Sequence, residues 1–201
     1  MKNVIFDFGG VLLEWSPDHF YLNYFNYDFD LMQRFFDQTN IKTINRALDK
    51  GESFDQVLSE LAQAHPEFKH AITAWKTDWN KMLVAQIDGS VDILKRLHKN
   101  GYKLFGLSNW SSETFPFAYY TYDFFRLFSN IVLSGAEKYI KPELEIYKIC
   151  LNRNNLDPFE TIFIDDVKEN VDAATILGIT GIQFRDPQQL ELELKRLGLE
   201  F

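Results

Sequence analysis

Apolar residues change their spacing twice along this chain. The first stretch reads as a short buried strand, Val4-Ile5-Phe6, then a glycine turn at Gly9-Gly10 and an apolar extension, Val11-Leu12-Leu13. From residue 15 to 84 the apolar positions recur at helical spacing and no alternation lasts, which predicts a bundle of about four helices. Ser16-Pro17 suits a helix start. Ser53, followed three residues later by Gln56, resembles a capping box. Pro66 opens a helix that carries Trp75 and Trp79 on one face.

Beyond residue 88 strands and helices alternate. An amphipathic helix over 91–98 is ended by Asn100-Gly101. A strand over 102–107 reaches Ser108-Asn109, and an aromatic-rich helical stretch covers 115–128. Strands follow at 131–133, 161–164 and 179–184, separated by helices at 142–154 and 168–177, with a helical tail from Pro187. This order predicts an α/β fold with a doubly wound parallel sheet. The core is then residues 1–14 and 85–201, and the α-helical bundle at 15–84 is an insertion after the first strand. There is no internal repeat and no low-complexity segment.

With 201 residues and 46% hydrophobic content, the chain can bury a sizeable core. The net charge of −8 argues against nonspecific binding to nucleic acid or to an anionic membrane. A phosphorylated small molecule stays compatible, because a metal ion and one lysine reverse the field locally. The one cysteine, Cys150, excludes an intrachain disulfide and sits in a helical apolar pattern as a core thiol. No signal peptide or membrane-spanning run is visible, so a cytoplasmic protein is expected.

The candidate chemistry lies where strands end. Asp7 follows the first strand directly, and Asp165-Asp166 follow the strand over 161–164. Carboxylates after parallel strands gather at the edge where open α/β sheets bind ligands. Two strands that deliver acid to one edge point to a hard-cation site and to a carboxylate nucleophile. Four short motifs fall in order along the alternation: Asp7-Phe8-Gly9-Gly10-Val11-Leu12, Leu107-Ser108-Asn109, Lys141-Pro142 and Ile164-Asp165-Asp166. Each alone is a weak signal, and their order on this framework is what carries weight.

These motifs resemble those of the haloacid dehalogenase superfamily, over the whole length of the chain. The resemblance implies a Rossmann-like core with a helical cap at 15–84, and mostly phosphatase activity. It implies that Asp7 attacks phosphorus and becomes an aspartyl-phosphate. Ser108 and the backbone N–H of Asn109 would hold a phosphoryl oxygen, and Lys141 would neutralise nucleophile and phosphate. Mg²⁺ would be held by Asp7, Asp166 and the carbonyl of Gly9, with Asp165 beside them ordering metal-bound water. Physical chemistry agrees: phosphoryl transfer needs positioning and charge neutralisation above all, and three clustered carboxylates resist ionising together without a cation.

One position departs from the pattern. Most phosphatases of the family carry a second aspartate two residues after the nucleophile, and here that residue is Gly9. It serves as general acid and base, a contribution of about 10²–10⁴-fold. The intact Asp165-Asp166 pair resembles the branch that contains α-D-glucose-1-phosphatase, which hydrolyses sugar phosphates without that aspartate. A small phosphorylated substrate, probed with Mg²⁺, is therefore the leading expectation. A 2-haloacid dehalogenase and a non-catalytic binding protein that keeps the pocket are the alternatives. A dehalogenase would need a cap arginine, for which Arg34 and Arg46 are the candidates, and would leave the acid cluster without a cation at considerable cost.

Several other residues carry expectations. Asn170 could tie the metal loop together or lie on a helix surface. Glu14, Trp15, Asp18 and His19, where core hands over to cap, read as solvent-exposed or capping residues; if one of them supplies the missing proton, Asp18 or His19 is favoured. His65, His70 and His98 lack metal-ligand spacing and read as surface residues. Trp110 either walls a leaving-group pocket or packs in the core. The aromatic run from Phe115 to Phe128 is too rich for one helix face, so core packing takes most of it and the remainder lines a cleft or a dimer patch.

Overall fold

A strand whose residues are all buried needs cover on both faces, and β1 (Asn3–Phe6) obtains it at the centre of a five-stranded sheet. The computed structural model describes residues 3–201. The sheet order is β5-β4-β1-β6-β7, with β4 at Lys103–Ser108, β5 at Asn130–Leu133, β6 at Thr161–Asp165 and β7 at Thr180–Gln183. Every pairing is parallel. Strand direction of travel reverses at β1, since β4 lies on one side of it and β6 on the other. The doubly wound parallel sheet expected from the sequence is the observed fold.

The side chains of β1 alternate between two layers. Val4 and Phe6 join the larger apolar cluster, which includes Val91, Leu94, Leu97, Leu190 and Leu194. Those residues come from α6 (Asp88–Lys99) and α11 (Pro187–Arg196). Ile5 points the other way, to Ile146, Tyr147, Cys150, Ala173 and Ala174 of α9 (Leu144–Asn154) and α10 (Lys168–Ile176). Burial pushes the Cys150 thiol up to about 12, which keeps it an inert core group as the sequence suggested.

The chain leaves the sheet through β2 (Leu13–Trp15) and returns through β3 (Leu83–Gln86), which pair antiparallel. Between them run α1 (Pro17–Tyr24), α2 (Phe29–Thr39), α3 (Ile41–Asp49), α4 (Phe54–Ala64) and α5 (Lys69–Thr77), with 3-10 turns at Pro66–Phe68 and Trp79–Met82. The caps are local. Ser16, Asp28 and Ser53 accept the N–H three residues ahead. Gln56 turns its side chain to Glu60 instead of back to Ser53, so the capping box is half formed. Trp75 and Trp79 are both buried but belong to different elements, because Asp78 ends α5. No helix among the described residues is long and apolar enough to cross a membrane.

The aromatic stretch after β4 also divides. It forms α7 (Phe115–Thr121) and a 3-10 turn at Asp123–Leu127, with an extended break at Tyr122. That break lets Phe115, Phe125 and Phe128 converge on one ring, Phe8, which also meets Trp110. Phe8 in turn lies so close to β4 that a Cβ on Gly106 would come within 2.3 Å of it. Gly106→Ala is therefore expected to lower unfolding free energy by about 1–3 kcal/mol through overpacking. Urea denaturation of the variant against the parent measures it, and an unchanged midpoint would contradict this packing.

Candidate functional site

Register places the site. Phe6 is aligned with Gly106 on one side and Ile164 on the other, so Asp7, Ser108 and Asp165 all emerge at the carboxyl ends of adjacent strands. Asp7 keeps a last ladder bond, its N–H donating to the Ile164 carbonyl at 2.9 Å. Its Oδ1 accepts from Ser108 Oγ at 2.7 Å and lies 2.9 Å from Lys141 Nζ. Lys141 also donates to Asp165 Oδ2 at 2.6 Å, and its side chain is wholly buried. The four motifs, three at strand ends and Lys141 from a loop, thus meet at one point.

Each of these groups is held by others. Asn109 and Lys141 exchange two bonds: Lys141 N–H donates to Asn109 Oδ1 at 2.8 Å, and Asn109 Nδ2 donates to the Lys141 carbonyl at 3.1 Å. The Asn109 side chain is therefore spent on placing Lys141. Asp165 is saturated by Lys141, by the Val167 N–H at 2.9 Å and by Asn170 Nδ2 at 3.0 and 3.1 Å. Asn170 is buried, and Tyr147 Oη donates to its carbonyl at 2.8 Å. Between its two readings, loop tie and surface residue, the structure shows the tie.

The electrostatics follow from burial. Burial works against the Lys141 charge, but Asp7 and Asp165 outweigh it and raise its pKa, so it stays an ammonium. Burial also raises Asp7, to about 7, with Lys141 opposing and Asp165 assisting that rise. Asp166 is raised by burial and then by Asp165. One oxygen from each of Asp7, Asp165 and Asp166 lies within 4.8 Å of the others. Fully ionised, three carboxylates against one ammonium leave two negative charges unbalanced, which suits a divalent hard cation.

Gly10 shapes the open side of that cluster. It has φ +72°, and a Cβ there would stand 2.4 Å from Asp166 Oδ2. Glycine thus allows the backbone to lie against the carboxylate. The Gly9 carbonyl has no donor assigned among the described residues. Asp7, Asp166 and that carbonyl are the atoms able to hold Mg²⁺, and Asp165 is already satisfied by protein groups.

Three cavities meet here. One of about 490 Å³ is lined by Asp7, Gly9, Gly10, Glu14, Lys141 and Asp166. A smaller one of about 110 Å³ has Asp7, Gly9, Trp15, Asp49, Trp79 and Trp110 on its wall. A third, of about 560 Å³, shares Trp15, Asn45, Asp49 and Asn109 with it and extends to Asp18, Lys42 and Arg46. Trp110 both walls the inner cavity and packs, donating from Nε1 to Thr114 Oγ1 at 3.0 Å. The buried Nε1–H of Trp15 has no partner among the described residues.

Other sequence expectations resolve less favourably. Asp18 is paired with Lys42 at 2.7 Å and His19 is exposed, so neither reaches the inner cavity. Glu14 lies on the Asp166 side. Arg34 sits over the Phe68 ring, away from all three cavities, whereas Arg46 lines the outer one. The residue missed by sequence reading is Asp49, the last residue of α3. Its signal was a polar pair four residues apart, Asn45, which is buried, and Asp49, which is half-buried beside it.

A family model described as haloacid dehalogenase-like hydrolase matches residues 4–184. A sesquiterpene phosphatase of Aspergillus oryzae is 28% identical over 202 residues, covering 98% of this chain and 96% of its own. A D-ribitol-5-phosphate phosphatase of Bacteroides thetaiotaomicron is 23% identical, with 91% of each chain covered. Among solved structures, a HAD family enzyme of B. thetaiotaomicron matches with TM-score 0.73 and 25% identity, covering 92% of this chain and 94% of its own. Its magnesium complex matches with TM-score 0.70 over the same shares, also at 25% identity.

Two outcomes are expected from this geometry. Gly10→Ala should weaken Mg²⁺ binding about 10–100-fold by displacing Asp166, the range typical of disturbed ligand support; isothermal titration checks it, and parental affinity would contradict it. The second concerns Asp49, whose pKa burial raises from 3.8 to about 7. A raised acid holds its proton in the folded state where the unfolded chain has lost it, so stability falls as pH rises from about 4 to about 7. Asp49→Asn should make that fall shallower in denaturation midpoints taken at stepped pH; an unchanged slope would contradict the shift.

Proposed function

The chain belongs to the haloacid dehalogenase-like hydrolases, and on that footing we propose that it is a Mg²⁺-dependent phosphatase of small phosphomonoesters, acting through an aspartyl-phosphate on Asp7. The observation that carries the reading is the Lys141 ammonium buried between Asp7 and Asp165, with the Ser108 hydroxyl on the same Asp7 oxygen. That arrangement occupies Oδ1 and leaves Oδ2 to attack phosphorus in line. An ordinary buried ion pair does not need a second carboxylate, a hydroxyl and an adjacent acid cluster.

The roles follow from what each group has left to give. Lys141 Nζ, with a third N–H beyond those to Asp7 and Asp165, and the Asn109 backbone N–H would meet phosphoryl oxygens, and Ser108 Oγ would turn its one O–H from Asp7 to the phosphoryl group as the ester binds. Lys141 offsets the charge of nucleophile and phosphate together, as a point charge. Asp165 holds Lys141 and, with Asn170, the turn that presents Asp166. Mg²⁺ held by Asp7, Asp166 and the Gly9 carbonyl would supply charge neutralisation on the transferring group and favour ionised Asp7. Preorganised donors of this kind lower the barrier because they need no rearrangement during the reaction.

Residues 15–84 act as a cap in this reading, and their inward side chains select the alcohol portion of the ester. The inner cavity is small and aromatic, and the outer one carries Lys42 and Arg46. Substrates that extend from the first into the second suit an alkyl or sugar phosphate. The named activities of the matched relatives, on a sesquiterpene and on D-ribitol 5-phosphate, support this class. Opening of the cap would admit the ester and closure would exclude bulk water.

Phosphate release from a panel of sugar phosphates and from p-nitrophenyl phosphate, with Mg²⁺ and with chelator, tests the reading. Metal-dependent release from the aryl ester and at least one sugar phosphate is expected. Asp7→Asn should lose it altogether while keeping its circular dichroism spectrum, at a lowered melting temperature because the buried Lys141 ammonium loses one paired charge. Release that ignores chelator, or an active Asp7→Asn variant, would contradict the mechanism.

A further inference from the structure

An alkoxide is a poor leaving group, and the water that later cleaves an aspartyl-phosphate must lose a proton. Both steps call for one titratable group beside the bond being broken. Gly9 offers no side chain there. An added Cβ at Gly9 would meet nothing within 4 Å, so the position opens directly into the active-site space. Among the described residues, the cavity of about 110 Å³ on that side has only two titratable residues on its wall, Asp7 and Asp49.

We propose that Asp49, carried in by the helical segment, is the general acid and base of this site. The assignment rests on the phosphatase reading above. In the first step Asp7 Oδ2 forms a bond to phosphorus, the bond to the ester oxygen breaks, and the Asp49 proton goes to that oxygen, releasing the alcohol. In the second step a water oxygen bonds to phosphorus while Asp49 takes its proton. The bond to Asp7 then breaks, inorganic phosphate leaves and Asp49 is again a neutral acid.

The surroundings of Asp49 suit both halves of that cycle. It ends α3, where the negative pole of the helix disfavours a carboxylate. Burial raises its pKa to about 7, with the charge of Asp7 adding to the rise and the Ser111 N–H and Asn45 amide opposing it. Its charged neighbours on the same turn do not pair with it: Lys50 pairs with Glu143 at 2.7 Å, and Arg46, which lines the outer cavity with it, makes no salt bridge to it. A group poised near neutrality can give and take a proton with similar ease.

Its position is fixed from two directions. Trp75 Nε1 donates to Asn45 Oδ1 at 2.9 Å, which orients the Asn45 amide so that Nδ2 donates to Asp49 Oδ2 at 2.8 Å. From the core, Ser134 Oγ donates to the Asp49 carbonyl, and Lys138 Nζ donates to the Gly51 carbonyl at 2.6 Å. Gly51, with φ +96°, lets this turn lie against Gly135, whose carbonyl oxygen would stand 2.4 Å from a Cβ there. The turn that bears Asp49 is thus clamped onto α8 (Ser134–Glu137), the short helix after β5, and onto Lys138 beyond it.

Rapid-quench kinetics of Asp49→Asn, with p-nitrophenyl phosphate and with the best alkyl ester of the panel, test the assignment. Turnover of the alkyl ester should fall about 10²–10⁴-fold. The aryl ester, whose phenolate leaves without protonation, should still give a burst of one equivalent of p-nitrophenol at the parental rate. The phosphorylated protein should then accumulate, visible by intact mass, because its hydrolysis lacks a base. Asp49→Ala should divide the two steps in the same way. Gly9→Asp placed in the Asp49→Asn background should regain at least about a tenth of the lost rate, by returning an acid to the same space. Parental turnover of the alkyl ester by Asp49→Asn would overturn the assignment while leaving the phosphatase reading intact. Equal loss of burst and turnover in a folded variant would also overturn it. A parent protein that releases phosphate from no ester would remove both.

Discussion

A single buried ammonium organises this molecule. Lys141 has no exposed side-chain surface, and an unpaired charge in such a place is untenable. It persists because Asp7 and Asp165 meet it at 2.9 and 2.6 Å. Those carboxylates stand on the two strands that flank and form the centre of the sheet. The register of β1 with β6, the turn that carries Asn170 and the paired bonds between Asn109 and Lys141 are all conditions for that charge to be satisfied. A buried ion network of this kind adds little net stability compared with apolar packing, but removing any one member strands the others. Its value lies in the chemistry it keeps in place.

The helical segment completes the site from outside. One apolar cluster runs without interruption from Val4 and Phe6 of the sheet to Phe35 and Trp75 of the helices. Over it, the turn after α3 is tied to the core by Ser134, Lys138 and Glu143. The α/β core therefore supplies Asp7, Lys141 and the acid cluster, whereas the inserted segment supplies Asp49, Trp15 and Trp79 around the same small cavity. Under the proposed reading an ester would have to satisfy both halves, and the helical segment would be the seat of substrate choice.

Much of this was legible in the residues. Apolar runs that stop at Asp7, Ser108 and Asp165 mark strand ends, and parallel strands bring their ends to one edge regardless of sequence distance. Asp49 left only a faint mark, the pair with Asn45. An aspartate at the end of an amphipathic helix otherwise looks like a solvated terminus, and its place in the fold shows only once Asn45 and the clamp from Ser134 and Lys138 hold that turn. Asn170 stood undecided between surface and loop tie until the fold showed it buried beneath Asp165. The strand β3 escaped notice because Val84, Ala85 and Gln86 are exposed and show no alternation; pairing with β2 makes it a strand. The aromatic stretch after β4 was read as one helix because spacing cannot reveal a break at Tyr122, which exists to gather rings around Phe8.

The central claim is that covalent phosphoryl transfer occurs at Asp7 and at no other carboxylate of the cluster. Borohydride reduction of the protein during turnover of p-nitrophenyl phosphate, followed by peptide mass mapping, tests it most directly, since an acyl-phosphate is reduced and a free carboxylate is not. The account predicts homoserine at position 7 in the presence of substrate and Mg²⁺, and none with chelator. Reduction at Asp49, Asp165 or Asp166, or no reduction during demonstrable turnover, would contradict it.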